Sequence, residues 1–245
     1  MARFAVILPA AGQSTRFSGK EKKVFASLDG RPVWMRSAEA FVHRDEVVQT
    51  LVVFAPEDEE SVRTKFSAHL SLLGIELVLG GKERFDSVGN ALARVRDADF
   101  VAIHDAARPC VSTAAIDQVF ALAQKTGAAL LAMPVRDTLK RTDLAGKVLE
   151  TVPREQLWQA QTPQVFRTDW LREAHARRER LGTAITDDAQ LVEALGHAVY
   201  VVPSDADNLK ITTLSDLALA AAILKSRPTP KIARPSHPFE DEVRW

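Results

Sequence analysis

The chain carries a single cysteine, Cys110. No internal disulfide can form, which suits a reducing compartment, and with no partner base beside it Cys110 reads as packing rather than as a nucleophile. Long apolar runs are missing as well. Nothing reaches the roughly 20 residues that a membrane-spanning helix needs, and the apolar run in MARFAVILPA is too short for a secretory signal, so a cytoplasmic protein without a membrane partner is expected. Excess charge is absent: Lys+Arg and Asp+Glu each number 32, which leaves no polyanion footprint for nucleic acid and makes any cationic site a local one. The 6 histidines are scattered without metal-ligand spacing, His104 included. No internal repeat is visible. Neither G-x-x-x-x-G-K-[ST] nor G-x-G-x-x-G follows the first apolar run, which excludes a P-loop and argues against the usual dinucleotide fold.

Against these absences stands the stretch around which the chain is organised, FAVILPAAGQSTRFSGKEKK from Phe4 to Lys23. Phe4 to Leu8 is an unbroken run rich in β-formers and predicts a strand buried on both faces. Pro9 ends it. Pro9, Ala10, Ala11 and Gly12 carry almost no side chain, so a ligand can approach their backbone and meet a run of free N–H groups. Arg16, Lys20, Lys22 and Lys23 then stand against one acid, Glu21. A forked donor at Arg16 and a point charge at Lys23 suit a polyphosphate, with a solvated basic loop as the plainer alternative.

Further strands are expected at Val47–Ala55, Ile75–Leu79, Asp99–His104, Ala128–Met133 and Ala198–Pro203. Helical patterns lie between them: from Gly30-Arg31-Pro32 to Val42, after Pro56, and over about Arg84–Val95, Thr113–Lys125, Asp169–Leu181, Asp187–Leu195 and Ser215–Leu224. This alternation predicts βαβ crossovers, hence an α/β fold whose Rossmann-like, mostly parallel twisted sheet is flanked by helices. The rhythm breaks at about 136–154, where alternating residues around Asp143–Gly146 predict a protruding β-hairpin. A lone hairpin is barely stable in water, so this arm is expected either to pack on the same arm of a second subunit, giving a homodimer, or to fold back on its own sheet. From Arg227 to the end, 4 prolines and mixed charge without periodicity predict a poorly ordered tail or a remnant of a linker.

Three later constellations carry chemistry. Gly80-Gly81 followed by Ser87 places a close-approach turn and a hydroxyl at the edge used by the first loop. His104-Asp105-Ala106-Ala107-Arg108-Pro109 sets a carboxylate just past a strand, placed to hold a divalent ion or a ribose hydroxyl, unless Asp105 and Arg108 form only a structural pair. Arg154 precedes Thr162 by eight, and Thr162, Thr186 and Lys210 then fall at intervals of 24. Taken singly, Thr186 is a helix cap, Lys210 a solvated cation and Arg154 a surface pair.

Leu8-Pro9-Ala10-Ala11-Gly12-x-x-x-Arg16 with Lys23 resembles the signature loop of the sugar-nucleotide pyrophosphorylase superfamily. With G-G-x-x-R-x-x-S at 80–87, H-D-A-A-R-P at 104–109 and the Arg154/Thr162/Thr186/Lys210 intervals, the chain is most similar to the 2-C-methyl-D-erythritol 4-phosphate cytidylyltransferase family over about Phe4 to Leu224. The resemblance implies a single nucleotidyltransferase domain over 1–226. Its activity would be transfer of CMP from CTP to a sugar-alcohol phosphate in non-mevalonate isoprenoid precursor synthesis. It implies Arg16 and Lys23 as catalytic residues. Pro9, Ala10, Ala11, Gly12, Gly81, Ser87, Asp105 and Ala106 would hold the nucleotide, with Mg²⁺ at Asp105 and on the CTP phosphates. Asp105, Arg108, Arg154 (reaching across from the neighbouring subunit), Thr162, Thr186 and Lys210 would hold the sugar-alcohol phosphate. Glu21-Lys22-Lys23-Val24-Phe25 departs from the family's commoner Pro-Lys-Gln-Tyr or Phe, which leaves Lys22 and Lys23 as candidates for one position; alignment through Leu28 favours Lys23. The alternatives are a cytidylyltransferase for another polyol phosphate, such as ribitol 5-phosphate, and a non-catalytic nucleotide-sensing module.

Overall fold

The computed structural model describes residues 1–14, 17, 21–178 and 185–227. Strand β1 (Phe4–Pro9) is fully buried from Phe4 to Leu8, as its unbroken apolar run requires. Two short strands, β2 (Ser27–Leu28) and β3 (Arg31–Pro32), form a small ladder about Asp29 and Gly30. Both turn residues have positive φ (52° and 78°), the backbone a two-residue hairpin demands. This ladder moves the start of the next helix. Helix α1 (Val33–Glu39) begins after Pro32, which caps it, and ends short of the expected Val42. Strand β4 (Val47–Phe54), a 3₁₀ turn at Pro56–Asp58, helix α2 (Glu59–Leu72) and strand β5 (Ile75–Leu79) follow. Next come α3 (Arg84–Leu92), β6 (Phe100–Ile103), α4 (Thr113–Thr126) and β7 (Ala128–Pro134). Helix α4 is bounded by chemistry visible in the sequence: Ser112 Oγ accepts from the Ala115 N–H at 3.2 Å, and Gly127 ends the helix at φ 92°.

Strands β8 (Leu139–Thr142) and β9 (Val148–Val152) pair only with each other, as a two-stranded hairpin with Leu144, Val148 and Leu149 exposed. Strand β10 (Trp158–Arg167) was not expected from the sequence. It runs antiparallel between β6 and β7. The chain closes with α5 (Thr168–Arg177), α6 (Asp188–Glu193), β11 (Tyr200–Pro203) and α7 (Leu214–Ser226). The expected continuation of α5 to Leu181 falls on residues outside those described, as does the tail beyond Arg227.

The main sheet has 7 strands in the order β11-β7-β10-β6-β1-β4-β5. All neighbours are parallel except where β10 intervenes. Alternation along β1 divides the core: Phe4, Val6 and Leu8 pack with α1, α2 and α4, whereas Ala5 and Ile7 pack with α3, α5 and α6. The chain winds outward from β1 to β4 on one side and to β6 on the other. Such a reversal opens a crevice at the carboxyl ends of the strands.

Candidate active site

The crevice holds a cavity of about 870 Å³, built from loops that leave β1, β4, β5 and β6 and from the segment before α7. Pro9, Ala10, Ala11 and Gly12 form one wall, and the Ala10 N–H is anchored to the Val53 carbonyl at 2.7 Å. Gly80 must be glycine, because a Cβ there would lie 2.8 Å from Ala11 Cβ and 2.9 Å from Ser87 Oγ. A side chain on Gly81 would overlap Asp86. Ser87 Oγ accepts from the Gly81 N–H and donates to the Glu83 carbonyl, both at 3.1 Å. It therefore fixes the double-glycine turn while still lining the cavity, where one lone pair is left for a ligand.

Asp105 is the electrostatic centre. Its carboxylate lies 2.8 Å from Lys210 Nζ, 3.5 Å from an Arg84 terminal nitrogen and 3.6 Å from Arg108 Nε. Burial would raise its pKa, but Lys210, Arg84 and Arg108 together hold it well below the usual carboxylate range. Lys210 is brought there by its neighbours: the Ile211 N–H donates to the Ala107 carbonyl (2.8 Å), and Arg108 donates to the Asn208 carbonyl (2.7 Å). Arg84 also bonds Asp188, whose side chain is fully buried, at 2.6 Å. Burial opposes the Arg84 charge, yet Asp188 and Asp105 more than reverse that effect and raise its pKa. His104 is pushed down to about 4 by burial and bonds Arg108 O and Thr162 Oγ1. It is a neutral structural group at physiological pH.

Strand β10 brackets these loops with side chains that are polar and buried. The Asp105 N–H donates to Thr162 Oγ1 at 3.0 Å. Gln161 donates to the Asp205 carbonyl and accepts from Asn208, and Gln164 donates to Asp187 while accepting from the Ala189 N–H. The amides of Gln161 and Gln164 are stable when buried because both ends of each are bonded.

Of the residues singled out in the sequence, Pro9, Ala10, Ala11, Gly12, Lys23, Gly81, Ser87, Asp105 and Lys210 line the cavity. Ala106 is buried behind it, its N–H on the Pro9 carbonyl (3.3 Å) and its carbonyl on Ser37 Oγ (2.8 Å). Arg108 and Thr162 reach it through Asp105. Thr186 lines a separate hollow of about 420 Å³ beside Trp158, Ala160 and Val201. Arg154 sits at the base of the hairpin, bonded to the Arg136 carbonyl. Arg16 lies outside the described residues. Lys22, the other lysine candidate, has its ammonium on Asp58 (2.6 Å) and Glu57 (3.0 Å). Arg84, Asp188, Gln161 and Gln164 were missed as site residues.

Among the described residues no three His, Cys, Asp or Glu side chains converge as a metal site. Three carboxylates, Glu57, Glu83 and Asp105, nevertheless line the cavity, and this donor set fits Mg²⁺, which commonly binds through one or two carboxylates together with substrate phosphates.

A cavity at the switch point of a doubly wound sheet, walled by small-residue turns and edged with cations, has the build of a nucleotidyltransferase site. A family model described as IspD, 2-C-methyl-D-erythritol 4-phosphate cytidylyltransferase, matches residues 4–226. The chain is 45% identical over 235 residues to a protein of that name from Rhodopirellula baltica, covering 91% of this chain and 95% of that one. A crystal structure of 2-C-methyl-D-erythritol 4-phosphate cytidylyltransferase from Thermus thermophilus superposes with a TM-score of 0.74 at 35% identity, covering 92% of this chain and 100% of that one. A bifunctional enzyme IspD/IspF from Desulforudis audaxviator is 40% identical over 229 residues, covering 93% of this chain but 58% of that protein. This chain belongs to the 2-C-methyl-D-erythritol 4-phosphate cytidylyltransferase family.

Proposed function

We propose that residues 1–226 act as one nucleotidyltransferase domain that transfers CMP from CTP to 2-C-methyl-D-erythritol 4-phosphate in isoprenoid precursor synthesis. The observation that carries this reading is the convergence of Lys23, Arg84, Lys210 and Asp105 on one glycine-walled cavity large enough for a nucleotide. A phosphate oxygen of the sugar alcohol bonds to the α-phosphorus of CTP, the bond from that phosphorus to the bridging oxygen of the β-phosphate breaks, and pyrophosphate leaves. The attacking oxygen is already ionised near pH 7, so no general base is needed. What opposes the reaction is repulsion between two polyanions and charge growing on the α-phosphorus. Fixed cations that hold the reactants in line answer both.

In this reading Pro9–Gly12, Gly81 and Ser87 seat the nucleotide, Ala106 supports them from behind through its N–H on the Pro9 carbonyl, and Arg16 and Lys23 stabilise the crowded phosphorus. Asp105 and the triphosphate oxygens would hold Mg²⁺, whose charge neutralises the polyphosphate. Arg108, Thr162 and Lys210 bind the incoming phosphate; Thr186, which lines the separate hollow, is assigned to the same substrate by the family resemblance and not by its place at this cavity. Arg154 lies off this cavity, which supports its acting on the site of a second copy in a homodimer joined through the β8–β9 arm. In this reading the enzyme is cytoplasmic; no helix among the described residues is long and apolar enough to cross a membrane.

The experiment is a panel of polyol phosphates incubated with protein, CTP and Mg²⁺, with pyrophosphate release as readout. Methylerythritol phosphate should give the highest kcat/KM. Preference for ribitol 5-phosphate would reassign the substrate, and CTP binding without turnover on any of them would refute catalysis.

A further inference from the structure

Lys22 stands in the signature stretch beside Lys23, yet its ammonium is turned to two acids of another loop. It bonds Asp58 and Glu57 of the 3₁₀ turn that follows β4, and Glu57 is itself part of the cavity wall. Burial opposes this charge, but the bonds to Asp58 and Glu57 outweigh it and raise the pKa, so Lys22 is charged throughout the neutral range.

The backbone on either side is fixed as well. The Phe25 N–H donates to the Lys22 carbonyl (2.9 Å), the Ala26 N–H to the Lys23 carbonyl (3.2 Å), and the N–H of fully buried Trp34 to the Val24 carbonyl (3.0 Å). The Lys23 N–H donates to Ser14 Oγ at 3.3 Å. Ser14 has φ 56°, a left-handed backbone that glycine adopts more easily. A hydroxyl at that position supplies the bond that a glycine could not. The two ends of the basic loop are thus joined through Ser14 and Lys23, and Lys22 ties the junction to the opposite wall.

We infer that Lys22 and Ser14 are positioning residues: the Lys22–Asp58–Glu57 ion cluster and the Ser14–Lys23 bond hold the Lys23 backbone so that its ammonium meets the nucleotide phosphates. This rests on the reading of Lys23 as the cation at the α-phosphate. Its chemistry is geometric. A flexible four-carbon side chain stabilises a transition state only if its root is fixed, and a displacement near 1 Å can cost about 10²-fold in rate.

The test measures steady-state kinetics with CTP and the preferred polyol phosphate for Lys22→Met, Lys22→Arg, Asp58→Asn, the Lys22→Met/Asp58→Asn double variant, Ser14→Gly and, as a reference, Lys23→Ala. Lys22→Met and Ser14→Gly should each lower kcat about 10-fold, with the KM for CTP within about 2-fold of the parent. Lys22→Arg keeps the cation and should restore kcat to within about 3-fold. The double variant should be no slower than Lys22→Met, because both changes break one interaction. Several outcomes overturn the inference: additive losses in the double variant, no rescue by arginine, an unchanged kcat in Lys22→Met, or a higher KM for CTP at constant kcat. The last would mean that Lys22 merely screens Glu57 from the triphosphate. If Lys23→Ala keeps full kcat while Lys22→Arg loses it, the reading of Lys23 falls as well, and Lys22 is the catalytic cation.

Discussion

Replacing Asp105 with asparagine keeps the shape of the side chain and removes one negative charge from among Lys210, Arg84 and Arg108. The size of the effect follows from the geometry. At an effective dielectric near 20, one pair of unit charges about 3.5 Å apart attracts by roughly 5 kcal/mol before desolvation is charged against it. Lys210 contributes little to the net, because its side chain is 39% exposed and can turn to water; such a pair is worth under about 1 kcal/mol. Arg108 cannot turn away, being 12% exposed, and Arg84 is anchored from behind by Asp188. Leaving these two without their shared counter-charge should cost about 3 kcal/mol, the low end for a broken buried pair. For a chain of this size that lowers Tm by roughly 6–12 °C. The pH dependence has a definite sign. Asp105 has a folded-state pKa depressed below its unfolded value of about 3.9, so its stabilisation is complete above that value and is lost as pH falls through the folded pKa. Calorimetry of both proteins should therefore show a constant gap in Tm between about pH 5 and 7 that narrows below about pH 4. An Asn variant as stable as the parent at pH 7, or a gap that persists undiminished at pH 3, would refute the electrostatic account.

Gly127→Ala should lose about 2–4 kcal/mol in urea unfolding, because the residue sits at φ 92° and a Cβ would run into the Trp170 ring. Stability should also rise with pH between about 4 and 6.5, since the unfolded chain takes up a proton on His104 that the folded chain refuses down to about 4; an NMR titration showing His104 protonated in the native protein at pH 6 would contradict this. Arg154→Ala should raise the KM for the polyol phosphate about 10-fold and leave that for CTP unchanged, as removal of a uniform binding contact does; a selective rise for CTP would contradict the assignment. With the polyol phosphate well below the parent's KM, where Arg154→Ala sites keep about a tenth of the activity, mixing Arg154→Ala with Lys23→Ala subunits of the proposed dimer should give about a quarter of parental activity, because half the dimers are mixed and one site in each is complete. No recovery on mixing would place Arg154 in its own subunit's site.

The parts of this molecule that could be read from the chain are those where composition and place coincide. An apolar run ending in Pro9-Ala10-Ala11-Gly12 can only be a buried strand opening onto a loop without side chains, and the same holds for Ile75–Leu79 before Gly80-Gly81. Strand β10 escaped because its logic is the opposite. Gln161, Thr162 and Gln164 are buried for their polarity, each bonded to a loop, and Pro163 within the run argues against a central strand. Periodicity rules register only apolar side chains, so a strand whose task is to bond loops is invisible to them. Arg84 escaped for a related reason: an arginine in the first turn of a helix reads as a solvated charge, and its partner Asp188 is 104 residues away. What would have revealed both is the count of unsatisfied groups. Loops that converge on a charged ligand cannot bond to one another through backbone alone, so some element between them must supply buried side-chain donors and acceptors. The run WQAQTPQVFR, with amides on either side of Thr162, is the stretch of this chain that can do so. Its polarity, which obscured it as a strand, is therefore the physical condition for Asp105, Asp187 and Asn208 to hold their places around the cavity.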